Sequence, residues 1–289
     1  MTRAGPPAEV DVTEPLVRSL LASQHPDLAA LPLRRIRGGW DNALVRIGDE
    51  LLARLPRRAL AAPMVADELR WLAALADRVP LPIPAPVRAG RPGDGYPWAW
   101  SIVRWLPGAP ALTARFDRDA AVDTLAGFVR ALHVPAPSDA PVNPMRGVPL
   151  VTRDAATRAR LATHPRALAA LLRTAWDQAL AAAPHAGPPV LLHGDLHPGN
   201  LLVVDRRLAA VIDFGDVCGG DPAADLAVAW MLFDRRRRGR FLDAVGADAA
   251  CRARARGWAL SIGLAVAAAE GRTPLGRAAR RTLGRAAID

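Results

Sequence analysis

The chain has 289 residues, 51% hydrophobic and 23% charged, a balance that excludes a wholly disordered protein and allows one large domain or two smaller lobes. The net charge of +10 raises nucleic-acid binding as a class, yet all 38 basic residues are arginine, and the single concentrated run, Arg235-Arg236-Arg237-Arg238, has few aromatics near it for stacking on bases; a solvated face is expected, with no nucleic-acid partner. No apolar run approaches the roughly 18 residues of a bilayer crossing, the opening MTRAGPPAEVDVTEPL has no signal-type stretch, and Cys218 and Cys251 lack the spacing of a zinc site or disulfide framework, so a cytoplasmic protein without a membrane partner is expected.

Thr13 caps a predicted helix with Pro15 in its first turn, running to about Gln24. Leu33–Asn42 and Ala43–Ile47 read as strands with Gly38-Gly39 at a turn or bulge, and Gly48-Asp49-Glu50 turns into a third strand, Leu51–Leu55. A helix over about Ala61–Asp77 follows, then the proline-rich Pro80–Pro86 leads into more strand and an apolar extended run, Trp98–Trp105. Leu106-Pro107-Gly108 breaks it. Beyond Pro110 the periodicity becomes helical, over Asp119–His133, Arg153–Ala162 and Arg166–Ala182. A short strand at Val190–His193 precedes a hairpin of Leu201–Val204 and Leu208–Ile212. Helices are then predicted over Pro222–Phe233, Gly239–Val245, Ala247–Glu270 and Pro274–Arg285. The predicted organisation is a sheet-rich lobe over 1–103, a hinge over 104–108 and a mostly helical lobe over 109–289.

The chemistry is concentrated in LLHGDLHPGNLLVVDRRLAAVIDFGD, from Leu191 to Asp216. His193-Gly194-Asp195-Leu196, with Asn200 after three more residues, has the spacing of a kinase catalytic loop, and Asp213-Phe214-Gly215 follows across the hairpin as a metal-binding D-F-G. Phosphoryl transfer needs a carboxylate near the acceptor hydroxyl, the role that suits Asp195. Magnesium prefers oxygen ligands, which Asn200 and Asp213 supply. Turn formation explains each of these residues singly, since Asp, Asn and Gly populate turns, but not both motifs at this separation. His193 and His197 have a metal-pair spacing, but Gly194, Pro198 and Gly199 disfavour the helix that would align them, and His193 reads instead as a prop for the loop.

HGDLHPGN followed by VIDFGDVCGGDPAADLA resembles the aminoglycoside phosphotransferase family, which includes macrolide kinases and other small-molecule kinases; the resemblance runs from about Arg34 to Phe233. It implies an α+β, bilobal, protein-kinase-like fold with a β-rich N-lobe, a mostly helical C-lobe and the active site in the cleft. It places the family's catalytic aspartate on Asp195 and its magnesium ligands on Asn200 and Asp213, and it makes Asp225 a structural carboxylate tied back to the catalytic loop. Locally, Asp221 reads as an N-cap ahead of Pro222. The implied co-substrate is ATP or GTP with Mg2+, and the implied partner is a hydroxylated small molecule.

In the N-lobe, Gly38 and Gly39 sit where the family's nucleotide-positioning loop lies, or form only a bulge. Where kinases of this fold carry a lysine on the third strand, LLARLPRR offers Arg54, which keeps the charge but not the shape. Its partner would be Glu68, which shares a helical face with Met64, Trp71, Leu72 and Leu75. Val103 and Trp105 fall in the segment that would offer backbone groups to the purine.

A protein kinase is the first alternative, but Gly194 replaces the arginine of its catalytic loop and no A-P-E follows. A nucleotide-binding pseudokinase is the second, favoured only by the missing lysine. The implied acceptor is an antibiotic such as an aminoglycoside or macrolide, although Asp234–Asp289 carries five acids against thirteen arginines, a poor setting for a polyamine. Trp176, Trp230 and Trp258 either line an apolar acceptor pocket or belong to the core.

Overall fold

A computed structural model describes residues 7–36 and 41–288, so Gly38, Gly39 and Trp40 lie outside the described residues. The chain divides into two compact units, Met1–Arg78 with Pro82–Pro107, and Val79–Leu81 with Gly108–Asp289.

In the first unit, α1 (Glu14–Gln24) starts where Thr13 Oγ1 accepts from the Leu16 N–H, with Pro15 in the first turn. Strands β1 (Leu33–Ile36), β2 (Asn42–Ile47), β3 (Leu51–Pro56), β4 (Pro86–Gly90) and β5 (Trp100–Arg104) form an antiparallel sheet in the order β1-β2-β3-β5-β4. Side chains alternate along a strand, so Ala43, Val45 and Ile47 of β2 and Ala53 and Leu55 of β3 join Val17, Leu20 and Leu21 of α1 in one buried cluster with Tyr96, Trp100 and Ile102. Each large apolar side chain so buried contributes about 1.5–3 kcal/mol relative to water. Arg54 is out of phase with Ala53 and Leu55 and therefore points to the other face. There α2 (Ala62–Leu75) presents Glu68 in a buried stripe with Val65, Trp71, Leu72 and Leu75.

Two boundaries differ from the sequence-based expectation. Asn42 opens β2 opposite Pro56 rather than ending the first strand, and the last strand of the sheet spans only Trp100–Arg104 within the expected Trp98–Trp105. Trp105 is still tied to the sheet, its N–H donating to the Glu50 carbonyl at 2.6 Å.

The second unit opens with β6 (Ala109–Pro110) and α3 (Arg118–Leu132), then α4 (Asp154–Leu161) and α5 (Arg166–Ala181). Two small ribbons follow. Strand β7 (Val190–Leu192) pairs with β10 (Cys218–Gly220), and β8 (Leu201–Val204) with β9 (Arg207–Val211) and β6. Asp205 and Arg206, at φ 46° and 63°, make the left-handed hairpin turn between β8 and β9. The glycine-rich β10 carries no strand signal and is extended because β7 offers it a ladder.

The expected helix over Pro222–Phe233 is two pieces, α6 (Ala223–Leu226) and α7 (Val228–Leu232). The next helix, α8, spans Arg235–Ala244 rather than the expected Gly239–Val245 and so includes the arginine run. Asp234 caps it, accepting from the Arg237 N–H at 2.9 Å, and arginine is a good helix former. Asp119 of α3 binds Arg236, Arg237 and Arg240 at 2.8, 2.6 and 3.2 Å, so two arginines of the run and one just beyond it share a carboxylate of the same chain. Helix α9 (Ala249–Glu270) is buried on most sides against α4, α5, α6 and α10 (Pro274–Ala287). Trp176, Trp230 and Trp258 are all buried, which favours the core reading of these residues.

Candidate active site

The segment after β7 is held by one buried carboxylate. Asp225 of α6 accepts the backbone N–H of His193 at 2.8 Å and of Gly194 at 3.0 Å, and pairs with His133 Nε2 at 3.1 Å. Burial alone would raise its pKa, but the hydrogen bond and charge of His133 and the His193 contacts hold the group below the usual carboxylate range. Asp221 stands one residue before the observed N-cap, Pro222, where its carboxylate accepts from Ala223 N at 3.0 Å and also binds buried Arg254.

His193 is a prop rather than a ligand. Its Nδ1 accepts from the Asp195 N–H at 3.2 Å, so Nε2 carries the proton toward the Ile212 carbonyl at 3.0 Å, and its ring packs on Phe214 with centroids 4.4 Å apart. Gly194 has φ 81°, and a Cβ there would overlap the Asp216 carbonyl oxygen. The arginine that protein kinases place at this position has no room.

Asp195 lies in the turn beyond. Arg146 Nη2 donates to its Oδ1 at 2.9 Å, and His197 Nε2 is 3.4 Å from its Oδ2. His197 Nδ1 accepts the Gly199 N–H at 2.9 Å, which puts the imidazole proton on Nε2, facing the carboxylate. Burial pushes the Asp195 carboxyl up, but the His197 hydrogen bond and the charges of His197 and Arg146 outweigh it and hold the group well below the usual range.

Asn200 and Asp213 are brought together by the ladder. Ile212 N donates to the Asn200 carbonyl at 2.9 Å, placing Asp213 one residue beyond that pair. Asn200 Nδ2 donates to the Asp195 carbonyl at 3.0 Å, which turns the amide so that its Oδ1 is left over. Asp213 is exposed and sits at φ 67°, an uncommon conformation for a residue with a side chain, and among the described residues its carboxylate makes no hydrogen bond or ion pair. Two uncommitted oxygen donors of this kind fit a hard divalent cation such as magnesium. No cluster of three or more His, Cys, Asp or Glu side chains suited to a metal occurs among the described residues, and His193 and His197 are both committed elsewhere.

In the first unit, Arg54 Nη2 meets Glu68 Oε1 at 2.5 Å, with side chains 9% and 3% exposed. Arg54 Nε and the hydroxyl of its cross-strand partner Ser101 are buried without a hydrogen-bond partner among the described residues. An orphaned guanidinium N–H of this kind fits a phosphate-bearing ligand. Val103 is buried in β5 between β3 and β4, and the Trp105 N–H is spent on Glu50, so the carbonyl is the group that Trp105 has left to offer.

Sequence reasoning assigned nothing to Arg146, Asn143, Asp216 or His133. Asp216 stands inside the quoted motif, three residues after Asp213. Arg146 and Asn143 lie in an aperiodic proline-containing loop with no spacing signal to find.

A family model described as "Phosphotransferase enzyme family" matches residues 32–258. A streptomycin 6-kinase of Streptomyces glaucescens is 34% identical over 181 residues, 54% of this chain and 53% of that protein. A homoserine kinase of Acidiphilium cryptum is 30% identical over 196 residues, 63% of this chain and 58% of that protein. The chain therefore matches little more than half the length of either relative. Among solved structures, the GDP and kanamycin complex of APH(2")-IIia superposes with a TM-score of 0.72 at 18% identity, over 94% of this chain and 99% of that one. The fold is thus the α+β, protein-kinase-like one. No helix among the described residues is long and apolar enough to cross a membrane.

Proposed function

The chain belongs to the phosphotransferase enzyme family, and from that premise we propose that it moves the terminal phosphoryl group of ATP or GTP to a hydroxyl of a small molecule, an antibiotic such as an aminoglycoside or macrolide being the first class to try. The observation that carries the reading is the joint placement of Asp195, Asn200 and Asp213 on one propped turn and the adjoining hairpin.

In this reading Asp195 orients the acceptor hydroxyl and takes its proton as the new oxygen–phosphorus bond forms and the nucleoside diphosphate leaves. His197 and Arg146 keep that carboxylate ionised and oriented. Asn200 Oδ1 and the Asp213 carboxylate would hold magnesium, which when bound neutralises charge on the phosphates. Arg54, fixed by Glu68, would bind phosphate through its orphaned Nε, with Gly38 and Gly39 approaching the phosphates and the Val103–Trp105 backbone meeting the purine. The division into a nucleotide-binding lobe over 1–103, a hinge over 104–108 and a catalytic lobe over 109–289 belongs to the same proposal.

The test is nucleotide consumption with magnesium and a panel of aminoglycosides, macrolides, tuberactinomycin-type peptides, amino sugars, homoserine and choline-like alcohols, each with ATP and GTP. A product heavier by one phosphate is the expected result. Binding of nucleotide without turnover across a widened panel would favour the pseudokinase, phosphorylation of a protein substrate alone would favour the protein kinase, and no nucleotide binding would overturn the reading.

A further inference from the structure

Two carboxylates beside the catalytic turn share one guanidinium. Arg146 Nη2 donates to Asp195 Oδ1 at 2.9 Å, and its Nε lies 3.7 Å from Asp216 Oδ2. Its side chain is only 24% exposed, and the loop that delivers it is fastened at several points. Asn143 Oδ1 accepts from the Met145 N–H at 2.8 Å, while Asn143 Nδ2 donates to Asp216 Oδ1 at 2.6 Å. Gly219 N donates to the Pro141 carbonyl at 3.0 Å, and Asp221 N to the Gly147 carbonyl at 2.9 Å. Gly147, at φ 63°, is wedged so closely on the β7–β10 ribbon that a Cβ would lie 2.6 Å from Leu192 Cδ1. This anchoring sets Arg146 apart from a surface arginine that wanders.

Asp195 is thereby gripped at both oxygens, by Arg146 at Oδ1 and by His197 at Oδ2. An acceptor hydroxyl must meet one lone pair of that carboxylate within hydrogen-bond reach, so a carboxylate free to rotate would lose the geometry. Asp216 makes the need sharper. Both aspartates lie within reach of one guanidinium, and without it their like charges would push Asp195 out of place.

We propose that Arg146 is a positioning residue for phosphoryl transfer, bridging Asp195 and Asp216 so that the Asp195 carboxylate keeps the orientation in which it receives the acceptor's proton. The proposal rests on the functional reading given above for Asp195. Steady-state kinetics of the full chain would compare wild type, Arg146→Ala, Arg146→Lys and the double variant Arg146→Ala/Asp216→Asn, with thermal melts alongside. Arg146→Ala should lower kcat about 10²-fold while the nucleotide KM stays within a few-fold. Arg146→Lys, which keeps the charge, should recover part of that loss, and so should the double variant, because removing the second charge removes the repulsion. A purely structural role would lower Tm and raise both KM values without rescue by Asp216→Asn. That result, or an Arg146→Ala enzyme with kcat close to the wild type's, overturns the role of Arg146 alone. A wild-type chain that transfers phosphate to no acceptor overturns the functional reading and this role with it.

Discussion

At the scale of single residues, the site separates groups that act from groups that hold them. Asp195 is the one carboxylate of the turn held ionised by both a guanidinium and an imidazole N–H. Asp195→Ala should lower transfer by about 10²–10⁴-fold, as loss of a general base does, while nucleotide affinity measured by calorimetry stays within a few-fold. Arg54 is the residue through which the departure from the lysine-bearing pattern is tested. Arg54→Ala should weaken nucleotide binding about 10-fold or more, since a charge-assisted phosphate contact contributes about 1.5–3 kcal/mol; unchanged affinity and rate would show that Arg54 does not stand in for the lysine. The two thiols behave as core groups. Burial, reinforced by nearby carboxylates, pushes Cys218 up to about 12 and Cys251 to about 11. Neither should react with a thiol reagent at pH 7.5 until denaturant is added, and rapid labelling of the folded chain would contradict their burial.

At the scale of elements, α6 and the turn after β7 are coupled through Asp225, only 1% exposed. Its pKa is lowered from an ordinary 3.8, so it contributes stability at pH values above that value, and the contribution is lost as pH falls through the lower folded-state value. Asp225→Asn should therefore destabilise the protein at pH 7 by about 3 kcal/mol, through the buried donors it leaves facing an amide, and should flatten the loss of stability on acidification below about pH 4. Denaturant melts at pH 7 and pH 3 read both effects; equal pH dependence of the two proteins would remove Asp225 as the cause. The same element scale explains the start of α8. Hydrophobic period fixes the middle of a helix, whereas a cap such as Asp234 fixes its start, and the arginine run hides that cap in plain charge.

At the scale of the whole molecule, the net charge of +10 is a formal sum, and several of the arginines behind it hold carboxylates of the same chain. Arg236, Arg237 and Arg240 are bound to Asp119, and Arg254 to Asp221. Binding to DNA or RNA should be weak and should vanish by about 0.2 M salt, as a few phosphate contacts would; salt-resistant binding by fluorescence anisotropy would reopen the nucleic-acid class. The matched family model, running over residues 32–258, spans parts of both compact units, whereas the motif that carries the resemblance lies in the second of them.

What the sequence by itself determined is what depends on local spacing. The H-x-D-L-x-x-x-N and D-F-G pair, the cap of α1 at Thr13, the hairpin between Asn200 and Asp213 and the alternation that sends Arg54 away from the apolar face all follow from residue type and short-range period. Tertiary structure alone decided which distant groups meet those residues. Arg146 reaches Asp195 across 49 positions and His133 reaches Asp225 across 92, from segments whose own patterns carry no trace of the partner. Gly219 and Gly220 are strand because β7 lies beside them, and Trp176 and Trp258 are core because α5 and α9 pack together. Propensity and period act over a few residues, whereas a buried charge finds its partner wherever folding brings one within about 4 Å.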